Sequence, residues 1–226
     1  MINMKRRVAA EPAQRQLRNM TATLITGANR GLGLEVARQL TAAGHQVWIG
    51  ARDHARGQRA ADALGGRFVP LDVTDDASVA SAAETVGALD VLVNNAGISG
   101  GRIGPNEATA DDMRIVFDTN VFGAVRVLRA FIPLLERSSS PVVVNVSSGV
   151  GSVALASDPE SPWSESNFPV YASSKAALNM LTIRYAAAFR GCASTRSIQG
   201  SRRPTSTSIA ARRPSSRAPR RSSATR

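Results

Sequence analysis

The chain has 226 residues, a length that allows one sizeable core and predicts one domain. Its hydrophobic content of 43% is ordinary for a globular protein. No apolar run reaches the roughly 18 residues that a membrane-spanning helix needs, so no membrane association is predicted. The single cysteine, Cys192, excludes an internal disulfide framework and a cysteine-based zinc site. We therefore predict a cytoplasmic protein that holds no metal.

The net charge of +11 comes mostly from one end of the chain. Residues 192–226 contain nine arginines and no acidic residue, whereas residues 1–191 are nearly neutral. Clustered arginines neutralise phosphates in nucleic-acid-binding proteins. This segment has no aromatic residue that could stack on bases, however, so nucleic acid is not the partner we predict.

Three regions differ in composition. Residues 1–19 are polar and basic and lack the apolar core of a secretory signal, which predicts a disordered extension or a start codon assigned upstream of Met20. Residues 20–191 carry regular apolar patterns and form the predicted domain. Residues 192–226 are rich in serine and arginine without apolar periodicity, which predicts a disordered basic tail.

Strand-like and helix-like segments alternate along the middle region. Strands are predicted at residues 21–26, 46–51, 68–73, 89–97 and 141–148, and helices at residues 34–44, 55–64, 77–87, 111–135 and 170–189. Residues 149–170 are predicted to be a loop rich in serine and proline. This alternation indicates parallel βαβ units and an α/β, doubly wound parallel sheet. Strands that are apolar throughout fit a sheet covered on both faces.

The first strand runs into a glycine-rich turn and then a helix. In this context, glycines allow a tight turn and a close approach of the backbone to a pyrophosphate. The helix that follows offers free N–H groups and a positive dipole to phosphates. The candidate residues of this turn are Gly27, Asn29, Arg30, Gly31, Leu32 and Gly33.

Four motifs in order carry a family resemblance. The pattern Thr26-Gly27-x-x-x-Gly31-x-Gly33 is followed by Asn94-Asn95-Ala96-Gly97, by Ser147-Ser148, and by Tyr171-x-x-x-Lys175. Over about 170 residues the chain resembles the short-chain dehydrogenases/reductases, and within that family the carbonyl reductases. The resemblance implies a Rossmann-like fold, hydride transfer between NADP(H) and a carbonyl or alcohol substrate, and cofactor contacts from Asn94, Ala96 and Gly97.

The end of the second strand bears on the choice of cofactor. NAD-binding relatives usually carry an acid there that accepts hydrogen bonds from the ribose 2′-hydroxyl. This chain has Arg52, and Arg30 lies in the glycine turn, so two guanidinium groups could hold a 2′-phosphate. We predict that NADP(H) is preferred, with NAD(H) as the second option because Asp53 could turn inward. By resemblance, Asp72 and Val73 contact the adenine; alternatively, Asp72 caps a helix with Thr74.

Tyr171 and Lys175 lie four residues apart on one face of a predicted helix. A nearby cation favours the phenolate form of a tyrosine, and Lys175 can supply that charge. The resemblance implies that Tyr171 is the general acid or base and that Ser148 hydrogen-bonds the substrate oxygen. It also implies that Asn120 holds a water in a proton relay and that Tyr171 and Lys175 contact the cofactor. Self-association through the 111–135 helix is compatible with this plan.

Two segments depart from the family pattern. The stretch between Ser148 and Tyr171 is longer than usual, and its Trp163 and Phe168 either line a substrate mouth or pin the loop. After the last helix, the family continues with a sixth strand and a substrate-covering lobe, and we predict that this chain is truncated there. A natural basic tail is one explanation. A shifted reading frame after Ala193 is the other, because synonymous codons permit a family-like sequence in the alternative frame.

Overall fold

The computed structural model describes residues 20–189 and the backbone path of residues 193–199. The predicted extension at residues 1–19 and the end of the predicted tail, residues 200–226, lie outside the described residues. The boundaries of the predicted regions therefore stay predictions.

A parallel sheet forms the centre of the fold. Its strands are β1 (Ala22–Thr26), β2 (Gln46–Ala51), β3 (Arg67–Pro70), β4 (Val91–Asn94), β5 (Val142–Ser148) and β6 (Ala193–Gln199). They lie in the order β3-β2-β1-β4-β5-β6, and every pairing is parallel. The predicted Rossmann-like, doubly wound sheet is confirmed. Because β1 lies beside β4, the strand order reverses between them, which is where such sheets bind ligands.

Helices cover both faces of the sheet. They are α1 (Gly31–Ala42), α2 (His54–Leu64), α3 (Asp76–Val86), α4 (Ala110–Phe117), α5 (Gly123–Leu135), α6 (Val153–Ser157) and α7 (Pro169–Ala188). Local sequence defines several starts: Asp53 caps α2, Asp75 caps α3, and Thr109 with Asp112 forms a capping box on α4. In each case a side-chain oxygen accepts a hydrogen bond from a free N–H of the first turn.

Neighbouring residues of β1 belong to opposite halves of the core. Leu24 packs with Leu92 and Phe131 on the side of α3 and α5. Ile25 packs with Ile49 and other residues on the side of α1 and α2. Both side chains are fully buried, which is worth about 1.5–3 kcal/mol each. This two-sided burial explains why the strand sequences are apolar throughout.

The predicted helix over residues 111–135 is not one regular helix. A π-helical turn, Asp118–Phe122, separates α4 from α5. Such turns insert a residue into the helical register, which a hydrophobic pattern does not reveal, and they often lie at functional sites. The turn contains the candidate residue Asn120.

Two further predictions need correction. The predicted loop 149–170 contains a 3-10 turn, Gly149–Gly151, and the short helix α6. The predicted lack of a sixth strand is wrong, because the backbone of Ala193–Gln199 pairs with β5 along its whole length. Backbone N–H and C=O groups make this pairing, so a segment without apolar periodicity can still join an open strand edge.

Candidate active site

The glycine turn after β1 is packed closely against the loop after β4. Gly27 and Gly31 have positive φ angles of 64° and 57°, which glycine adopts readily. Gly33 requires glycine for another reason. A Cβ atom there would lie 2.4 Å from Asn95 Nδ2 and 2.8 Å from the carbonyl oxygen of Gly27. The turn and the loop therefore leave no room for a side chain at Gly33.

Asn95 joins this turn to the loop. Its Nδ2 donates to the carbonyl oxygens of Thr26 at 2.8 Å and Gly27 at 3.2 Å. In return, the backbone N–H groups of Asn95 and Ala96 donate to Thr26 Oγ1 at 3.0 and 2.9 Å. Asn95 also lines a cavity beside Tyr171 and Lys175, although it was not among the predicted site residues. Its place inside the Asn94–Gly97 motif could have indicated this role.

Asn94 lies in a different environment from its neighbour. It is buried in the sheet, and its Nδ2 donates to Asn145 Oδ1 at 2.9 Å. Asn145 in turn donates to Thr182 Oγ1 on α7 at 2.9 Å. The side chain of Asn94 thus connects β4, β5 and α7 and does not line the cavity. A direct contact between Asn94 and a cofactor stays a prediction.

The end of β2 presents Arg52 to solvent, while Asp53 faces the first turn of α2. Asp53 Oδ1 accepts from the N–H of Arg56 at 2.9 Å, and the other oxygen lies 3.3 Å from Arg56 Nε. Arg30 is also exposed and precedes α1. Within residues 20–189, neither Arg30 nor Arg52 forms an ion pair. Asp53 therefore faces α2 here, and the choice between NADP(H) and NAD(H) stays a prediction.

Asp72 lies near Arg52 and forms a local turn. Its Oδ1 accepts from the N–H and Oγ1 of Thr74 at 2.9 and 2.7 Å. Burial acts to raise the pKa of Asp72, but these hydrogen bonds and the charge of Arg52 outweigh it, so the pKa lies below its usual value. The helix cap itself is Asp75, not Asp72. Val73 is buried beneath Gly123, where an added Cβ would lie 2.8 Å from Val73 Cγ2.

Tyr171 and Lys175, the predicted catalytic pair, line one cavity together with the loop after β4. It has a volume of about 210 Å³ and is lined by Leu32, Asn95, Gly97, Ile98, Ser99, Val146, Tyr171 and Lys175. These residues come from the N-terminus of α1, the loop after β4, the end of β5 and the start of α7. The cavity lies at the carboxyl ends of the strands, as expected for such sheets.

Lys175 and Tyr171 have perturbed protonation equilibria. Lys175 is only 4% exposed, its Nζ donates to the carbonyl oxygen of Val146 at 2.8 Å, and burial lowers its pKa to about 8. Burial raises the pKa of Tyr171, and a side-chain hydrogen bond with Ser148 partly offsets that rise. The Lys175 Nζ lies 5.6 Å from the centre of the Tyr171 ring. Burial thus favours the protonated phenol, and the effect of Lys175 on the phenolate stays a prediction.

Asn120 connects the loop after β4 to α7. Its Oδ1 accepts from the N–H of Ile98 at 2.8 Å, and its Nδ2 donates to the Ile98 carbonyl at 2.9 Å and to Ser174 Oγ at 3.0 Å. Ser174 Oγ donates to the Tyr171 carbonyl at 2.7 Å. Protein groups thus take both Nδ2 donors and one of the two acceptor sites of Oδ1. The relay water that the resemblance implies for Asn120 stays a prediction.

The two aromatic residues of the long loop pack near the ends of β5 and α7. A Cβ atom at Gly149, the residue after Ser148, would lie 2.4 Å from the Trp163 ring. Arg102 lies over the ring of Phe168 at 5.9 Å. Neither aromatic residue lines the 210 Å³ cavity. The contact with Gly149 supports the alternative in which Trp163 pins the loop.

A larger cavity, about 440 Å³, lies between α5 and α7 near the start of β5. None of the predicted site residues lines it, so its size alone does not make it the reaction site. Residues 20–189 contain no helix long and apolar enough to cross a bilayer. They also contain no cluster of three histidine, cysteine or acidic side chains placed to hold a metal ion.

Comparison with known proteins identifies the family. Residues 21–191 match the family described as short chain dehydrogenase. The chain belongs to this family. It is 37% identical over 174 residues to the short-chain dehydrogenase anuI of Penicillium roqueforti, an alignment that covers 70% of this chain and 69% of anuI. It is 40% identical over 158 residues to (+)-neomenthol dehydrogenase of Arabidopsis thaliana, covering 57% of this chain and 53% of that protein.

Solved structures agree with this assignment. NADPH-bound carbonyl reductase from chicken fatty liver superposes with a TM-score of 0.71 and 32% identity, covering 78% of each chain. The matched part spans about half the length of the Arabidopsis enzyme and just over two thirds of the Penicillium protein.

Members of this oxidoreductase family bind a nicotinamide dinucleotide, and the residues present fit one. No atom lies within 4 Å of a Cβ built at Gly31, which leaves open space at the N-terminus of α1. That N-terminus attracts phosphates through its free N–H groups and dipole. Gly97 is exposed at the cavity, where a Cβ would lie 3.2 Å from Asn120 Oδ1 and 3.6 Å from Lys175 Nζ. A side chain at Gly97 would narrow the space beside Lys175.

Proposed function

We propose that this protein transfers a hydride between NADP(H) and a carbonyl or alcohol substrate, with Tyr171 as the general acid or base. One observation carries the proposal: Tyr171 and Lys175 line the same cavity as the loop Asn95–Ser99 and the first turn of α1. A proton donor and a phosphate-binding helix N-terminus therefore border one space. When bound, the dinucleotide supplies the hydride for reduction or accepts it in oxidation.

The residues of the chain account for the proton. In reduction, the substrate oxygen gains negative charge and needs a proton, and Tyr171 Oη is the donor. Its raised pKa keeps that proton available at neutral pH. Ser148 lowers the pKa of Tyr171 and, in the proposed mechanism, hydrogen-bonds the substrate oxygen. Lys175, anchored to Val146, places a positive charge beside the phenol and favours its deprotonated form after transfer.

The preference for NADP(H) rests on charge at the ribose end. Arg30 and Arg52 are exposed and have no ion-pair partner within residues 20–189. Asp53, the acid that could favour NAD(H), is held by α2. Two charge-assisted hydrogen-bond donors fit a 2′-phosphate, and each such bond is worth about 1.5–3 kcal/mol. The NADPH complex of the chicken carbonyl reductase is consistent with this choice.

A binding and turnover experiment tests the proposal. The protein is titrated with NADPH and NADH, and NADPH oxidation is followed with a panel of aldehydes and ketones, together with detection of the alcohol. We expect NADPH to bind more tightly and to be consumed in step with alcohol formation. In the Arg30→Ala/Arg52→Ala variant, NADPH should bind about 10²- to 10⁴-fold more weakly, the loss expected from two charge-assisted contacts, while NADH binding stays similar.

A matched control uses two exposed arginines elsewhere, Arg59→Ala/Arg129→Ala. This control removes the same charge and should leave the cofactor preference unchanged. Equal losses for NADPH and NADH in the first variant would contradict the assigned preference.

A second candidate function is dinucleotide binding without turnover. Residues 192–226, with nine arginines and no acid, differ in composition from the rest of the chain. They stand where the family has its substrate-covering lobe, and a chain without that lobe could bind the dinucleotide without turning over a substrate. The test compares this chain with a version translated in the alternative frame after Ala193. Tight NADPH binding by both, with turnover only in the second, would support the candidate. Similar turnover by both would show that the basic segment is a functional part of the protein.

The remaining predictions concern partners and location. Self-association through the 111–135 region is supported by Ile115 and Phe122, which are 61% and 50% exposed. A carbonyl or alcohol substrate is the proposed small-molecule partner, and neither nucleic acid nor a membrane is proposed as one. A cytoplasmic location stays a prediction.

A further inference from the structure

The 3-10 turn Gly149–Gly151 directly follows Ser148 and determines where that residue lies at the end of β5. The turn is buried on the N-terminal half of α7. A Cβ atom at Gly151 would lie 2.6 Å from the Cβ and carbonyl carbon of Lys175 and 2.8 Å from the N atom of Ala176. The turn therefore contacts the helix backbone beside the catalytic lysine.

One side chain of α7 holds this turn by a hydrogen bond. Asn179, one helical turn beyond Lys175, donates from Nδ2 to the carbonyl oxygen of Gly151 at 2.9 Å. Asn179 is buried, and its Oδ1 has no hydrogen-bond partner among the described residues. A buried amide that is only partly satisfied carries a desolvation cost. The cost is consistent with a positioning role for the hydrogen bond from Asn179 to Gly151.

The opposite side of the turn is held by packing. Trp163 covers Gly149 so closely that a Cβ atom there would overlap the indole. The turn thus lies between the indole and α7, and of these two contacts the Asn179 bond is the directional one. Because α7 also carries Tyr171, the bond connects the turn after Ser148 to the helix that carries Tyr171.

We propose that Asn179 is a positioning residue that fixes Ser148 relative to Tyr171 by holding the turn after Ser148 against α7. Nothing in the four family motifs includes Asn179. The consequence for the reaction rests on the proposed function, but the effect on the Tyr171 phenol does not, because Ser148 lowers the pKa of Tyr171 in the protein alone.

The environment of the phenol defines what a titration reports. On its own helix Tyr171 faces Lys175, and from β5 it faces Ser148. The neighbouring Arg102 lies over Phe168, three residues before Tyr171. Since the Ser148 bond lowers the pKa of Tyr171, loss of that bond should raise it further.

The experiment uses the fact that the chain has two tyrosines, Tyr171 and Tyr185. In a Tyr185→Phe background, the ultraviolet absorbance of tyrosinate reports Tyr171 alone. Asn179→Leu has a similar volume and lacks the donor, and Ser148→Ala is the reference for a lost bond. Thr182→Val is the matched control, since it removes a buried hydrogen bond one helical turn further along α7 without touching the turn.

We expect Asn179→Leu to raise the titration midpoint of Tyr171 by at least half the shift caused by Ser148→Ala, and Thr182→Val to leave it unchanged. With substrate, Asn179→Leu should lower kcat about 10-fold with little change in the KM for NADPH, because misplaced catalytic groups slow the chemical step. If the leucine variant does not fold, as judged by circular dichroism, Asn179→Ala is titrated under the same criteria.

The proposal would be overturned if the Asn179 variant had the same Tyr171 titration midpoint as the Tyr185→Phe protein, or if Thr182→Val shifted that midpoint equally. The titration needs no turnover. A chain with the expected shifts but no reductase activity would therefore contradict the proposed function alone, and a reductase without the shifts would contradict the positioning role alone.

Discussion

Two turns follow strands that end at the same edge of the sheet, one after β1 and one after β5, and different contacts hold them. The turn after β1 is closely packed: a Cβ at Gly33 would collide with Asn95 and with the Gly27 carbonyl. The turn after β5 is held by Asn179 from α7 and Trp163 from the long loop. Glycines that the sequence shows directly mark the first turn, although Asn95 from the loop after β4 also bonds to it, whereas no local pattern marks the residues that hold the second.

This difference has a functional meaning. A phosphate-binding turn needs backbone N–H groups at fixed positions, and glycines allow the close approach of backbone and ligand. The proposed catalytic hydroxyl of Ser148 must act together with Tyr171 on another element, so its position depends on how β5 and α7 pack. Variants in the first turn should therefore affect cofactor binding, and variants in the second should affect the chemical step.

The largest expected effect concerns the chemical step alone. Tyr171→Phe removes the proton donor and leaves the ring in place. We expect turnover to fall by about 10²–10⁴-fold, the usual contribution of general acid catalysis, with NADPH affinity nearly unchanged. Steady-state kinetics and a fluorescence titration of NADPH measure the two quantities. Substantial residual turnover would mean that Tyr171 is not the acid.

Gly33→Ala tests the turn after β1. The added methyl must displace Asn95 or the Gly27 carbonyl, so we expect a loss of about 1–3 kcal/mol in the free energy of unfolding. The same displacement should disturb the pyrophosphate turn and weaken NADPH binding by at least about 10-fold. Chemical denaturation and cofactor titration measure these effects.

Gly104→Ala is the control for this change. An added Cβ there meets only the end of the Glu107 side chain, at 3.9 Å. It should therefore leave both quantities unchanged. Unaltered NADPH binding in Gly33→Ala would show that the close packing of the turn is not required for the cofactor.

The sequence predicted the first of these regions better than the second. Strand–turn–helix alternation and the glycine spacing are local patterns, so β1 through β4 and the turn at Gly27–Gly33 follow from them. The π-helical turn at Asn120 and the bond from Asn179 arise from packing between distant segments. β6 was missed because backbone pairing, rather than an apolar side-chain pattern, makes that strand.

The pH dependence of stability tests the buried position of Lys175 on α7. The folded-state pKa of Lys175 is about 8, below the ordinary lysine value of 10.5. Below pH 8 the lysine is charged in both states, and burial of the charge destabilises the fold. Between pH 8 and 10.5 the unfolded chain binds more protons than the folded one, so stability should rise with pH in this window.

Lys175→Met removes this titration. We expect the variant to lack the rise, so its unfolding free energy relative to the wild type should fall by about 1–3 kcal/mol between pH 7 and pH 10. Urea denaturation at several pH values measures it. Parallel curves for the two proteins would contradict a lowered pKa for Lys175.

The smallest effect concerns the two neighbouring residues at the end of β2. Asp53 caps α2 while Arg52 remains exposed, so a charge at Asp53 should affect stability and not cofactor choice. Asp53→Ala should cost about 1 kcal/mol of unfolding free energy through the lost cap, and Asp53→Asn should cost much less because asparagine also caps helices. The exposed ion pair with Arg56 adds little to either value. Titrations with NADPH and NADH should give the wild-type preference in both variants. If both instead lose NADH affinity selectively, Asp53 contacts the ribose after all, and the cofactor preference of this chain would depend on which of the two residues at the end of β2 faces the ligand.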